Sequence, residues 1–461
     1  MATTDILHVD GTRIMRGSEP VTLRGFGLGG WMNMENFITG YAGSESQHRR
    51  ALRRVLGEEA YEAYFAEFMA AFFTDDDAAY VKSLGLNSIR IPFNYRHFED
   101  DAEPFVLKDE GFRLLDSVID ACARNGLYAI LDLHAVPGAQ NQHWHSDNPT
   151  QWASFWSQRQ FHDRVIHLWE AIAERYKDNP WVAGYNPINE PADAWGEALG
   201  PFYRRLEAAI RAVDPHHILF LDGNRYSTQF DQLGDPMPNC VYTAHDYALP
   251  GFADGGGYPG VSRGAFVDRD RIEETFLERT AYMRETGTPI WVGEFGPVYI
   301  GDPVQDPQRL QLLRDQLEIY SRHEVSWALW TYKDVGLQGV VYASPESDYM
   351  TRLAPFTEKK RRLGVDSWGS TDAGVRHILE PIEKLFEEEF PGFQPYPWGA
   401  KRWIHGHVRH VMMAEAMVDE YAEAFRGVTA EQATELASTF RFAHCVIREE
   451  LATILRESTE R

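Results

Sequence analysis

Residues 182–191 read VAGYNPINEP. A short, nearly unbroken apolar run ends at a carboxylate, Glu190, set between an asparagine and a proline. A run too brief for a helix and without polar alternation is the pattern of a parallel strand covered on both faces. Comparable runs lie at 21–26, 87–91, 128–133, 218–221, 241–244, 290–292 and 325–329. Between them the hydrophobic period lengthens to that of amphipathic helices, as at 111–125, 161–176, 201–213 and 308–322. Strand–helix alternation repeated eight times predicts an α/β fold, a (β/α)8 TIM barrel, in preference to an open sheet.

Four connections, at 33–73, 136–160, 250–267 and 331–365, are too long for simple turns. Each follows a strand, so all rise from the strand C-terminal face, where barrel enzymes build their pockets. The first carries a helix of its own in EEAYEAYFAEFMAAFF (58–73). Past residue 375 the texture changes. HILEPIEKLFEEEF (377–390) is helical, and PGFQPYPWGA (391–400) is a Pro/Gly/aromatic connector. Residues 401–426 and 429–456 read as two amphipathic helices, the second capped by Thr429 with Gln432 three residues on. The expected division is a catalytic barrel over 1–375 and a helical extension packed on it over 376–461.

The chain has 461 residues, of which 44% are hydrophobic and 25% charged, the balance of a folded protein. A net charge of −24 repels phosphate backbones and anionic lipid, which argues against nucleic-acid and membrane-surface partners. No uncharged apolar run is long enough to span a bilayer. Cys122, Cys240 and Cys445 are scattered, giving neither a disulfide framework nor clustered zinc ligands. The opening MATTDILHVDGTRIMRG lacks a basic stretch followed by an apolar run, so a cytoplasmic location is expected. Aromatic residues at 13% fit packed cores and sugar-stacking surfaces alike. The oligomeric state is left open.

Chemistry enters with a second carboxylate, Glu294, in PIWVGEFGP (289–297). Glu190 and Glu294 each follow a buried-looking strand and precede a Gly or Pro turn. Opposed walls of one barrel bring such groups within about 5–5.5 Å, the spacing of double-displacement glycoside hydrolysis. One carboxyl must be protonated to release the leaving oxygen, the other ionised to attack the anomeric carbon. Sharing a site separates them, because one negative charge raises the partner's pKa.

The surrounding motifs resemble glycoside hydrolase family 5, a family of retaining barrel glycosidases. The resemblance runs from about residue 21 to 333, through RGFGLGGW (24–31), NSIRIPF (87–93), LDLHAVPGAQN (131–141), INEP (188–191), AHDY (244–247), GEFGP (293–297) and ALWTYKD (328–334). It implies Glu190 as acid/base and Glu294 as nucleophile. It implies Asn189 on the sugar 2-hydroxyl, Arg90 and Tyr247 beside the nucleophile, and His134 and His245 on other hydroxyls. Trp330 becomes the platform under the ring. Taken singly, Arg90 also fits a barrel-end salt bridge, each histidine a structural imidazole, and Trp330 plain core packing. GLGGW and LDLHAVPGAQN look nearest to the exo-β-1,3-glucanase and β-glucosidase-like branches. Members commonly carry asparagine where this chain has Gly27, and the helical tail lies outside the family pattern.

The expected activity is therefore hydrolysis of β-glucoside-type linkages, exo-acting on short oligosaccharides or small glycosides, without a cofactor. The alternatives are an endo-acting β-glucanase or β-mannanase, a transglycosylase, and a non-catalytic carbohydrate-binding barrel. His143 and His145 alternate on one loop without Asp or Cys partners, which suits sugar binding or structure better than a metal. His405, His407 and His410 read as a packed or solvated helix face. GLGG (27–30) and GGG (255–257) lack the flanks of phosphate loops, and no G-x-S-x-G supports a serine nucleophile.

Overall fold

A computed structural model describes residues 6–460. The first five residues of the N-terminal stretch, and Arg461 at the end of the extension, lie outside the described residues. Eight parallel strands close into a barrel: β1 (Arg24–Gly27), β2 (Ser88–Asn94), β3 (Tyr128–Ala135), β4 (Val182–Asn186), β5 (Ile218–Asp222), β6 (Cys240–His245), β7 (Ile290–Phe295) and β8 (Ser326–Leu329). Each strand pairs with its neighbour in sequence, and β8 closes onto β1 with Trp327 opposite Arg24. β2 to β7 are buried along almost their whole length, which is why their sequences read as apolar runs without alternation.

The pairing of β6 with β7 slips between Val292 and Glu294, so that Glu294 stands opposite His245. The extra residue is Gly293, where a Cβ would lie 2.4 Å from the Thr243 methyl. A bulge at a barrel rim re-aims the next side chain, here Glu294. At the opposite end, an N-terminal hairpin (Leu7–Asp10 with Arg13–Arg16) plugs the barrel. Its Leu7 and Ile14 join Ile130, Phe220 and Trp291 in one buried cluster. No periodicity before residue 21 announces this plug.

Two expectations need correction. The connection at 33–73 holds two helices, Glu45–Leu56 and Glu58–Ala71. Residues 429–456 are not one helix. After Ala430–Ala437 the chain breaks into short turns and a strand, Cys445–Ile447, then resumes as Glu449–Thr459. That strand pairs antiparallel with Val341–Ala343, and tertiary pairing overrides a pattern that fits a helix locally. The Thr429–Gln432 capping box is present.

The tail is not a satellite. Met417, Tyr421, Phe440 and Leu455 belong to the same apolar cluster as the barrel–helix layer. Lys333, fully buried after β8, donates to Asp77 Oδ1 at 2.6 Å, Phe72 O at 2.7 Å and Phe440 O at 2.8 Å. One ammonium thus ties a barrel helix, an inserted helix and the tail. Removing one partner of a buried ion pair strands the other without water. Lys333→Ala is expected to destabilise the protein by about 3–5 kcal/mol. The readout is the denaturant midpoint, with proteolysis near residue 440 as a second measure. An unchanged midpoint would show that the clamp contributes nothing.

Candidate active site

The strand C-terminal ends deliver a polar network into an otherwise apolar barrel. At its centre is Arg90 on β2, with no solvent exposure. Its guanidinium donates to Glu294 Oε1 at 2.5 Å, to Asn189 Oδ1 at 2.6 Å, and to Asn186 Oδ1 at 3.0 and 3.1 Å. Asp132 on β3 completes the shell at 3.1 Å. Asn186 donates onward to Asp222 Oδ1. Asp222 Oδ2 accepts the Glu190 backbone N–H at 2.8 Å, while Asn141 donates to the Glu190 carbonyl at 3.0 Å. Glu190 is so held in the left-handed region, φ +46°. A non-glycine residue there stores strain of about 1–3 kcal/mol and persists only where its surroundings over-determine it.

His245 stands between the two glutamates. Its Nδ1 lies 2.6 Å from Glu190 Oε1 and 3.6 Å from Glu294 Oε2. One carboxylate oxygen of each glutamate and a ring nitrogen of His245 all fall within 4.8 Å of one another. These three residues have the donor set to hold a cation, although the sequence showed no metal signature. The Tyr247 hydroxyl donates to Glu294 Oε2 at 2.9 Å. His145 Nε2 lies 3.3 Å from Glu190 Oε2. Asn189 Nδ2 meets His134 Nε2 at 3.1 Å, and His134 Nδ1 meets Asp132 at 2.7 Å. His143 sits farther out, stacked on Trp144 and edge-on to His145. The fold therefore brings the two glutamates, Arg90, Asn189, Tyr247 and the four histidines His134, His143, His145 and His245 to one site.

Trp330 forms one wall, stacked on His134 at 5.4 Å. A Cβ on Gly27 would lie 2.4 Å from its indole, and one on Gly29 2.5 Å. The departure at Gly27 thus has a physical cause: the six-membered ring of the indole packs against the backbone at Gly27 and Gly29, leaving no room for a side chain.

Several pocket residues were not legible in the sequence. Glu35, after β1, is buried with Oε1 unpartnered, 3.7 Å from His134 Nε2. Its signal was a lone carboxylate in an apolar, aromatic stretch. Asp132 and Asp222 had a clearer one, as carboxylates inside and directly after runs that read as buried strands. Tyr226 enters from a turn in which Arg225, Tyr226 and Ser227 all have positive φ. The tail supplies the far wall. Its helix Gly399–His405 and the π-helical stretch Gly406–Met413 line the pocket with Arg402, Trp403, His405, Arg409 and His410. This corrects the reading of 405–410 as an ordinary face: His405 and His410 line the pocket, whereas His407 Nδ1 sits on the Trp403 carbonyl. The resulting cavity is about 310 Å³.

Burial raises both central carboxyls. Glu190 rises to about 8, chiefly by desolvation and then by Asp222. Glu294 rises to about 7, where Arg90 opposes desolvation. Glu35 is held well above the carboxylate range by burial, then by Glu294 and Glu190. Desolvation lowers His134, His145 and His245, keeping these imidazoles neutral.

The family described as Cellulase (glycosyl hydrolase family 5) matches residues 57–336. A protein of Phanerodontia chrysosporium named Beta-xylosidase is 46% identical over 98% of this chain and 98% of its own length. A probable glucan 1,3-beta-glucosidase A of Aspergillus fumigatus is 29% identical over 49% of this chain and 56% of its own. Among solved structures, an endogalactoceramidase superposes with a TM-score of 0.52 at 18% identity, covering 71% of this chain and 75% of that one. The last likeness is one of fold.

The raised Glu190 pKa has a consequence for stability. The folded state favours the protonated acid, so this contribution is complete below the ordinary value of 4.5 and is lost as pH climbs through about 8. Glu190→Gln, a permanent mimic of the acid, is expected to match wild type in thermal midpoint near pH 4.5. Above about pH 8 it should exceed wild type. A gap that does not change with pH would contradict the assignment.

Proposed function

This chain belongs to glycosyl hydrolase family 5, and from that premise we propose that it is a retaining β-glycosidase that removes single sugars from the ends of short glycosides. In this reading Glu190 passes its proton to the departing glycosidic oxygen while a Glu294 oxygen attacks the anomeric carbon. The glycosyl ester so formed is cleaved by water, whose proton returns to the Glu190 carboxylate. The observation that carries the proposal is the closeness of the two carboxylates, whose facing oxygens lie within 4.8 Å. An inverting enzyme needs about 6.5–9.5 Å between them to seat a water.

Their surroundings support the division of roles. Glu294 accepts from Arg90 and Tyr247, so its charge is stabilised before chemistry begins. Among the described residues no lysine or arginine contacts Glu190, which keeps its proton to higher pH. Trp330 offers a flat apolar wall for a pyranose face. Asn189, His134, His145 and the unpartnered Glu35 oxygen are placed for hydroxyls, with His143 at the next position outward. The far wall built by the tail supports exo action, since a polymer threading through needs an open groove. The relative that matches along the tail as well as the barrel is named a β-xylosidase, which moves the favoured sugar from glucose to xylose. Glucose is the second reading, from the glucan 1,3-β-glucosidases that match over about half of this chain.

Chromogenic β-xylosides and β-glucosides are expected to release a single sugar with its β configuration kept, as read by NMR of the first product. An α product would overturn retention, and mixed oligomers from xylan would overturn exo action. Glu190→Gln should cut kcat by about 10²–10⁴-fold on these substrates. Glu190→Ala should recover turnover with azide, which needs no general base. Tyr247→Phe removes a donor to the Glu294 carboxylate. It is expected to cost about 10–100-fold in kcat/KM and to move the acid limb of the pH profile upward. A downward shift would count against Glu294 as the ionised group.

A further inference from the structure

The pocket's outer half differs chemically from its floor. The floor is lined by carboxylates and neutral imidazoles; the outer half is aromatic and cationic. Arg402 and Arg409 come from the tail, and Arg263 from the hairpin Gly260–Ser262 and Ala265–Val267. Arg263 is matched by Asp254 at 2.6 Å and covers the Phe252 ring. Arg409, almost fully buried, donates to the carbonyls of Gly364 and Ser370. Arg402 is half-buried, and its guanidinium has no hydrogen bond or ion pair among the described residues. The carboxylates nearest the tail helix are committed elsewhere: Asp372 to Arg376, and Glu383 to His405 and Lys401. Trp398 lies alongside, 5.6 Å from Tyr226 and 4.9 Å from the Arg225 guanidinium.

A guanidinium withdrawn from water without a counter-ion is costly, and two others close enough to repel it add to that cost. Burial, then Arg263, holds the Arg402 pKa below its ordinary value. An incoming carboxylate removes both penalties, because the planar fork of arginine accepts it in two parallel hydrogen bonds. The chain's net charge of −24 does not decide the matter. Charges beyond about 8 Å are screened at physiological salt, whereas a pocket group meets its ligand directly.

We propose that Arg402, backed by Arg409 and Arg263, forms a carboxylate-recognising part of the leaving-group side, so that the enzyme favours β-glycosides whose leaving group is an organic acid. This rests on the glycosidase reading above and specifies its substrate class. The acid is either a uronic sugar or an aromatic acid. Both present the same carboxylate, and Trp398 with Tyr226 would flank either ring.

The test compares 4-carboxyphenyl β-xyloside with its neutral isostere, 4-carbamoylphenyl β-xyloside. Arg402→Met is expected to lower kcat/KM for the acid by about 10–100-fold, mainly through KM, and to leave the amide within about 3-fold. Arg402→Lys should restore part of the loss. Equal losses on both substrates, or none on either, would overturn the proposal. Calorimetric binding of the same two glycosides to the Glu294→Gln protein, with and without Arg402→Met, gives the answer without turnover. Selective binding of the acid by Arg402 supports the proposal even where hydrolysis fails, and hydrolysis without selectivity overturns it alone. Xylobiose against its glucuronic-acid-branched counterpart then separates the sources. Selectivity there identifies a sugar acid; selectivity confined to the aryl pair identifies an aromatic one.

Discussion

A guanidinium with no access to water sits inside the barrel, and most of the site follows from how it is satisfied. An unpaired buried cation costs several kcal/mol, so the strand ends around Arg90 must supply oxygen acceptors. They supply Asp132, Asn186, Asn189 and Glu294, from the ends of three strands, β3, β4 and β7. Pairing and chemistry are thereby joined. The carboxylate that helps to neutralise Arg90 also faces the pocket, and its geometry is as rigid as the network that needs it. The bulge at Gly293 makes this possible by turning Glu294 inward beside His245.

Two glutamates of one pocket acquire different characters from their partners. Glu294 faces a cation and a phenol. Glu190 faces an imidazole kept neutral by burial, and its backbone is pinned by Asp222 and Asn141. Desolvation raises both, and the cation holds one below the other. Environments that push two like groups apart are what the proposed division into acid and nucleophile requires.

The tail changes what the barrel can admit. It is bonded in through Lys333, through the strand at Cys445–Ile447, and through Gly406, where a Cβ would strike the Gln151 side chain. Its helices then stand over the strand ends as the far wall of the cavity, bringing arginine and tryptophan to a site whose floor is acidic. A barrel that on its own would present an open face becomes a pocket with two chemically unlike halves.

How much of this was legible varies with how local the signal is. The eight strands were, because burial on both faces imposes an apolar run that no neighbour is needed to read. Glu190 and Glu294 were, because a carboxylate at the end of such a run is itself anomalous. The N-terminal plug and the strand Cys445–Ile447 were not, since each is a few residues long and owes its form to a partner far away in sequence. Glu35 had only the faint mark of a lone carboxylate in an apolar, aromatic stretch, and Arg402 had none. Sequence alone determined the cylinder and the two carboxylates at its mouth, since hydrophobic periodicity and charge placement are properties of neighbouring residues. Which groups face those carboxylates, and that the stretch from Pro395 to His410 walls the pocket, only the tertiary structure decided, because desolvation and counter-charge depend on what the chain brings near in space.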